Sequence, residues 1–370
     1  MNDPRAPGLA ASADDVAARV AATIRPEIRA LAAYPVAKAE GMIKLDAMEN
    51  PYSLPADVRA RLANALSEIA INRYPDGGAD VVKAALRASL ALPDDVALMV
   101  GNGSDELLQI ITTAVAKPGA AIVAPDPSFV MYRLCAVYAN ARYVAVPLQD
   151  NFDLDGDAML AAIERERPAL IWLAYPNNPT GNLFDAATVE RIIRAAPGLV
   201  VVDEAYYAFA DRSFLPCVRE FANLIVVRTV SKIGMAGLRL GYAVAHPAWI
   251  VELEKVRPPY NVNALTQAAV PLLLAEHALL HEQARAIRAE RARLMSALSM
   301  IAGVTVYPTA TNFIVTCVSD ANASFAALRA ANILVKNLHG WHPLLTNCLR
   351  ITVGTPAEND ALLKVLKQTP

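Results

Sequence analysis

The sequence carries no excess of either charge: 34 Lys and Arg stand against 36 Asp and Glu, a net charge of −2. A nucleic-acid footprint needs a basic excess, so that class of partner is not expected, and neither is an acidic disordered tail. Charge is scarce altogether, at 19% of 370 residues, while hydrophobic residues make up 55%. That is the composition of a well-buried globular protein. Long apolar runs are missing too. The segments 169–175 and 268–275 are typical, the second contains Pro271, and both fall far short of the roughly 18 residues of a membrane span. The N-terminus, MNDPRAPG, has no basic region followed by an apolar core, and Asp14, Asp15 and Arg19 interrupt the next stretch. No signal peptide is expected, and a cytoplasmic location is. The four cysteines, Cys135, Cys217, Cys317 and Cys348, are scattered without a CxxC pair. They predict reduced, structural thiols rather than a disulfide framework.

A chain of this length fits two domains, or one large domain with a smaller partner. It buries roughly three quarters of its unfolded surface and needs no metal or disulfide for stability. A helix is expected over 14–32, then an irregular stretch with Pro51 and Pro55. From residue 96, short apolar runs recur at 96–100, 120–124, 143–146, 169–174, 199–202, 224–228 and 240–245, with helical periodicity at 107–116, 158–165 and 188–195. Alternating strands and helices predict βαβ units and a mostly parallel sheet covered on both faces. Beyond Asn263 the order changes. One long helical region, 264–300, is expected to kink at Pro271. After it come strands near 304–307 and 312–318, a helix near 324–331, a strand near 349–353 and a last helix from Pro356. Mixed order of this kind fits a smaller α+β domain.

Four clusters at predicted strand ends can carry chemistry. Gly101-Asn102-Gly103-Ser104-Asp105-Glu106 joins a strand to a helix, and free N–H groups at a helix start favour an anion. A phosphate cradle, a plain turn with a cap, and a dinucleotide fingerprint ending in Asp126 are the readings open there, although Glu106 removes the third small residue of that fingerprint. Tyr175-Pro176-Asn177-Asn178-Pro179-Thr180-Gly181 is either a turn or a rigid amide donor at a ligand-binding strand end. Asp203-Glu204-Ala205-Tyr206 places a carboxylate and a phenol at the next such end. Thr229-Val230-Ser231-Lys232, with Gly234, Gly237 and Arg239 beyond it, sets a lysine just past an apolar strand. Such a lysine either snorkels to water or, desolvated, becomes nucleophilic. Together these supply what pyridoxal phosphate requires: an amine for its aldehyde, a carboxylate for its ring nitrogen, and helix N–H groups with a cation for its phosphate.

The order NNPTG, DEAY, SK and GLRLGY resembles the fold-type I pyridoxal-phosphate aminotransferases of the aspartate aminotransferase superfamily, over almost the whole chain. Within it, LDAMENPY (45–52), NRYPDGG (72–78), GNGSDE (101–106), PSFVMY (127–132), PPYNVN (258–263) and CLRITVGT (348–355) most resemble histidinol-phosphate aminotransferases. The resemblance implies an α/β fold: a large domain with a mostly parallel seven-stranded sheet flanked by helices, plus a smaller α+β domain. The expected boundaries are an N-terminal segment 1–50 packing with the small domain, a cofactor-binding domain 51–270 and a small domain 271–370. It implies pyridoxal 5'-phosphate as cofactor and transamination between L-histidinol phosphate and 2-oxoglutarate, giving imidazole acetol phosphate and L-glutamate. Aromatic amino-acid aminotransferases and threonine-phosphate decarboxylases are the alternatives of similar cofactor apparatus.

By the same resemblance, Lys232 would hold the cofactor covalently and shuttle the proton. Asp203 would pair with the ring nitrogen, Asn178 and Tyr206 with the phenolic oxygen, and Phe129 would stack on the ring. Gly103, Ser104, Asp105, Ser231 and Arg239 would hold its phosphate. Tyr74 would reach the phosphate in a neighbouring subunit, which makes a homodimer part of the expectation. Arg350 would bind the substrate's anionic group, with Tyr34, Asn178, Asn312 and Lys336 beside it. Three departures stand out. Lys336 replaces an arginine common in relatives. Seven positions separate Lys232 from Arg239, one fewer than usual, so that loop is tighter. Phe129 replaces a frequent tyrosine, which keeps stacking and loses a hydroxyl. No metal site is expected. His277 and His281 are spaced i, i+4 without a glutamate after His277 or a third ligand, and read as a solvated helix face. His339 and His342, which flank Trp341 near Lys336, line either the substrate entrance or a loop without a chemical role.

Overall fold

The computed structural model describes residues 12–33 and 36–369. Two compact units divide at Lys38 and Ala39. The first contains α1 (Ala13–Thr23) and α2 (Pro26–Arg29). Ser12 caps α1 by accepting from the Asp15 N–H at 3.1 Å. The single helix expected over 14–32 is broken, because Pro26 disfavours helical geometry at Arg25, which is extended (φ −52°, ψ 137°).

The second unit begins with β1 (Ile43–Lys44), α3 (Ala56–Ser67) and α4 (Asp80–Ser89), then enters the alternating region. Its elements are β2 (Ala97–Asn102), α5 (Ser104–Val115), β3 (Ala121–Asp126), α6 (Val130–Tyr138), β4 (Arg142–Pro147), α7 (Gly156–Glu166), β5 (Leu170–Ala174), α8 (Ala186–Ala195), β6 (Leu199–Asp203), β7 (Leu224–Thr229) and β8 (Leu240–Ala245). These strands make one seven-stranded sheet in the order β2-β8-β7-β6-β5-β3-β4. Only β8 runs antiparallel to its neighbours. Both faces are covered. Along β5, Leu170 and Trp172 enter one core while Ile171 and Leu173 enter the other, as expected for continuous apolar strands.

Then come α9 (Pro247–Glu254), α10 (Ala264–Ala275), α11 (His277–Ser299), β9 (Thr305–Val306), β10 (Phe313–Cys317), α12 (Ala321–Ala330), β11 (Ile333–Leu334), β12 (Lys336–Asn337), β13 (Cys348–Thr352) and α13 (Pro356–Leu366). The long helical region breaks at Glu276 rather than at Pro271, which lies inside α10. Glu276 is held there by Arg61 at 2.7 Å. A four-stranded antiparallel sheet, β12-β13-β10-β9, carries the C-terminal part. Segment 43–48 is stitched to it: β1 pairs with β11, and the Thr352 N–H donates to the Leu45 carbonyl at 2.9 Å. Cys317 and Cys348, separated by 31 residues in sequence, are register partners on β10 and β13 and are joined as a disulfide. The expectation of four reduced thiols is corrected here, since strand register rather than sequence spacing makes them neighbours. Cys135 and Cys217 are free.

Beside the parallel strand ends lies a buried ion pair. Arg228 Nη2 sits 2.8 Å from Glu204 Oε2, Ser213 and the Phe214 N–H also donate to Glu204, and the guanidinium lies over the Tyr207 ring at 4.1 Å. Removing one partner strands the other charge, so Arg228→Met is expected to cost about 3–5 kcal/mol in urea unfolding. A loss under about 1 kcal/mol, the value of an exposed pair, contradicts this account.

Candidate active site

The carboxyl ends of parallel strands are where open α/β sheets bind ligands, and this sheet gathers its polar side chains there. A cavity of about 360 Å³ is lined by Ser104 and Asp105 after β2, Phe129 after β3, Asn178 after β5, Asp203 and Tyr206 from β6, Ser231 and Lys232 after β7, and Arg239 before β8. All nine are among the residues singled out in the sequence.

The amine of Lys232 donates to the Ala47 carbonyl at 3.2 Å. Burial first, and then the Arg350 charge, push its pKa down to about 8. The native state therefore binds fewer protons than the unfolded chain between pH 8 and the ordinary lysine value, and Lys232 adds stability as pH rises through that window. The cofactor-free protein should show it directly. Labelling of Lys232 by trinitrobenzenesulfonate, read out by peptide mapping, is expected to rise through a midpoint near pH 8. A midpoint at the ordinary lysine value of about 10.4 contradicts the burial argument.

Asp203 lines the same cavity. Its pKa is raised to about 6 by burial, against the lowering effect of hydrogen bonds from Tyr132 and the Ala205 N–H. Tyr132 Oη donates to Oδ2 at 2.9 Å. A buried carboxylate in this state is stabilised by any cation placed against it. Asn178 bridges two functions: its Nδ2 donates to the Tyr206 hydroxyl at 3.2 Å, and its Oδ1 accepts from Arg350 Nη1 at 2.6 Å. Arg350 also donates to the Asp46 carbonyl at 3.0 Å.

The start of α5 lines part of the cavity through Ser104 and Asp105. Gly103 takes φ +81°, and a Cβ there would lie 2.6 Å from Arg239 Nη2. Only a glycine gives both the left-handed backbone and room for the guanidinium. Arg239 crosses the shortened loop to this position and pairs with Asp105 at 3.6 Å. Its own φ is +49°.

The remaining expected residues lie in different places. Lys336 on β12 faces Arg350 on β13 in register. Asn312 is fully buried, donates to the Met48 carbonyl at 2.9 Å and keeps an Oδ1 with no partner among the described residues. Tyr74 lies away from the cavity, 81% exposed and stacked on Tyr260 at 4.7 Å. Tyr34 falls outside the described residues. Sequence reasoning missed Tyr132 and the Ala47-Met48-Glu49 turn as cavity walls. PSFVMY contains Tyr132, but nothing local aims its hydroxyl at a carboxylate 71 residues away.

The aminotransferase class I and II family pattern matches residues 40–366. A histidinol-phosphate aminotransferase from Chromobacterium violaceum is 53% identical, over 93% of this chain and 97% of its own. Histidinol-phosphate aminotransferase 1 of Ralstonia nicotianae is 50% identical over 100% of this chain and 99% of its own. The crystal structure of the Sinorhizobium meliloti histidinol-phosphate aminotransferase, in complex with pyridoxal-5'-phosphate, is similar with a TM-score of 0.83 at 28% identity, covering 94% of this chain and 97% of that one.

Proposed function

The chain belongs to the histidinol-phosphate aminotransferases, within aminotransferase class I and II, and from that premise we propose that it binds pyridoxal 5'-phosphate and transfers the amino group of L-histidinol phosphate to 2-oxoglutarate. The products are imidazole acetol phosphate and L-glutamate, in histidine biosynthesis. The observation that carries this reading is the meeting of the Lys232 amine, the Asp203 carboxylate and the Gly103–Arg239 cradle in one cavity.

The donor set fits the cofactor. Asp203, buried and short of a cation, matches a protonated ring nitrogen. The Arg239 guanidinium, seated where a Gly103 Cβ would lie, and the N–H groups at the start of α5 match a phosphate. When bound, the group supplies an electron sink for the carbanion formed at the substrate carbon. Lys232, its pKa lowered, takes the proton from the substrate Cα and returns it on the other side of the reaction. Asp203 keeps the ring nitrogen protonated. Asn178 and Tyr206 orient the phenolic oxygen, and Phe129 covers the ring face. The Ser104 and Asp105 backbone, with Ser231 and Arg239, would anchor the phosphate. Arg350 binds phosphate in one half of the cycle and carboxylate in the other, as a planar fork can. Lys336, Asn312 and Tyr34 complete the substrate side of this reading.

We further take the protein to be a cytoplasmic homodimer in which Tyr74 reaches a neighbour's cofactor phosphate. Support comes from the exposed, mutually stacked rings of Tyr74 and Tyr260, since exposed apolar surface marks association sites. Among the described residues no helix is long and apolar enough to cross a membrane. The division into 1–50, 51–270 and 271–370 belongs to the same reading.

The half-reaction tests it. The cofactor-loaded protein is given an amino donor without keto acid, and the cofactor absorbance is monitored. L-Histidinol phosphate is expected to convert it at concentrations at least about tenfold below L-phenylalanine, a difference of about 1.4 kcal/mol. A preference for phenylalanine moves the substrate to aromatic amino acids. Carbon dioxide released from threonine phosphate makes the protein a decarboxylase.

A further inference from the structure

Lys336 and Arg350 are cross-strand partners on β12 and β13. Burial, and then the Arg350 charge, lower the Lys336 pKa, while Asp46 opposes them. Two adjacent cations repel unless an anion lies between them. A lysine on its four-carbon stem also spreads over many rotamers, unlike a planar arginine fork. The groups against which the ammonium lies therefore bear on where it points. The half-exposed indole of Trp341, five residues on, lies 4.9 Å from Lys336 Nζ. Tryptophan is the ring whose face attracts a cation most strongly.

The loop bearing Trp341 is itself fastened. The Trp341 N–H donates to the Leu338 carbonyl at 3.1 Å, and the Asn347 N–H donates to His339 Nδ1 at 3.0 Å. His342 Nδ1 accepts from the Leu344 N–H at 3.1 Å, and its Nε2 lies 3.6 Å from Asp126 at the end of β3. Trp341 and His342 line a second cavity, of about 220 Å³, that shares Phe129 with the main one. The loop thus forms part of the same wall as the cofactor-side aromatic.

We propose that Trp341 is a positioning residue that holds the Lys336 ammonium beside Arg350, so that the two cations together favour a phosphate dianion over a carboxylate. The inference rests on the transamination reading above and specifies how one site tells its two substrates apart. A carboxylate carries one charge, which the Arg350 fork satisfies alone. A phosphate carries close to two charges and a third terminal oxygen, and Lys336 supplies the second cation. A lysine stem is not a preorganised fork, and the aromatic face of Trp341 supplies the rigidity that stem lacks.

The test measures the two half-reactions of the cofactor-loaded enzyme separately. Trp341→Ala is expected to raise the half-saturating concentration of L-histidinol phosphate about five- to tenfold, with the maximal rate and the glutamate half-reaction changed less than about twofold. Trp341→Phe should restore most of the loss, because a weaker aromatic face remains. Lys336→Met should raise the half-saturating concentration of L-histidinol phosphate at least as much as Trp341→Ala, and the double variant should be no worse than Lys336→Met alone. Equal rises for both donors, additive losses in the double variant, or an unchanged response to histidinol phosphate each overturn the proposal. Inorganic phosphate, as competitor against glutamate, separates the two levels of inference. If the unaltered enzyme does not turn over histidinol phosphate, the substrate assignment fails. The positioning role still stands or falls on whether Trp341→Ala weakens phosphate inhibition by the same factor.

Discussion

Lys232→Ala is expected to lower the turnover number by about 10³- to 10⁴-fold while leaving the fold intact. General acid–base catalysis by one positioned group is worth about 10²–10⁴, and covalent activation by the same amine is lost with it. The lysine is suited to both tasks because the chain buries it between Ala47 and Tyr206 and faces it with the Arg350 charge. Burial disfavours its ammonium form, so a usable fraction is the free amine near neutral pH. Single-turnover conversion of histidinol phosphate measures the effect. Added methylamine should restore part of the rate, since a small amine can enter the space the side chain leaves. A variant that turned over normally would falsify the assignment of Lys232. Unchanged thermal unfolding of the cofactor-free variant excludes a trivial loss of structure.

Arg350→Ala is expected to reduce kcat/KM by about 10²- to 10³-fold in both half-reactions, mostly through KM. Truncating one member of a buried, hydrogen-bonded charge contact costs about 2–5 kcal/mol. Here the guanidinium is buried, with Asn178 at 2.6 Å and the Asp46 carbonyl at 3.0 Å. Loss of the fork removes the substrate anchor and also leaves Asn178 Oδ1 without the donor that orients it toward Tyr206. Arg350→Lys should recover little, because a point charge cannot reproduce two parallel N–H donors. The contrast with Trp341 is informative: Arg350 variants should damage both halves of the cycle, Trp341 variants only the half that handles phosphate. Full activity of Arg350→Ala with glutamate would show that the carboxylate binds elsewhere.

Much of the large sheet was legible from residues 96–245, and the reason is local. Its strands are buried on both faces, so each appears as a short, continuous apolar run bounded by turn residues. The 199–202 and 240–245 runs coincide with β6 and β8 almost residue for residue. The nine cavity-lining candidates were legible for a related reason. They lie at or just beyond the carboxyl ends of the parallel strands, with Arg239 just before the antiparallel β8, and the chain order of an α/β sheet places such positions at one edge. Helix limits were less legible. The break before Pro26 obeys a rule that the periodicity of 14–32 masked, and the break at Glu276 falls beyond Pro271, the one local signal that pointed to a kink.

What the sequence determined by itself was the identity and order of the chemical groups: an amine, a carboxylate, an amide and a phenol set at the ends of apolar runs by short-range patterning, and two guanidiniums, one before β8 and one inside β13. Only the tertiary structure decided which of them face one another and in what electrostatic state. Tyr132 meets Asp203, Ala47 meets Lys232, Asn178 joins Arg350 to Tyr206, Cys317 meets Cys348, and Trp341 lies over Lys336. Most of these contacts span long stretches of chain and depend on strand register and on how loops pack. Burial, which moves the Lys232 and Asp203 pKa values furthest, is likewise a property of the assembled cavity, because desolvation is produced by neighbours that local sequence does not place.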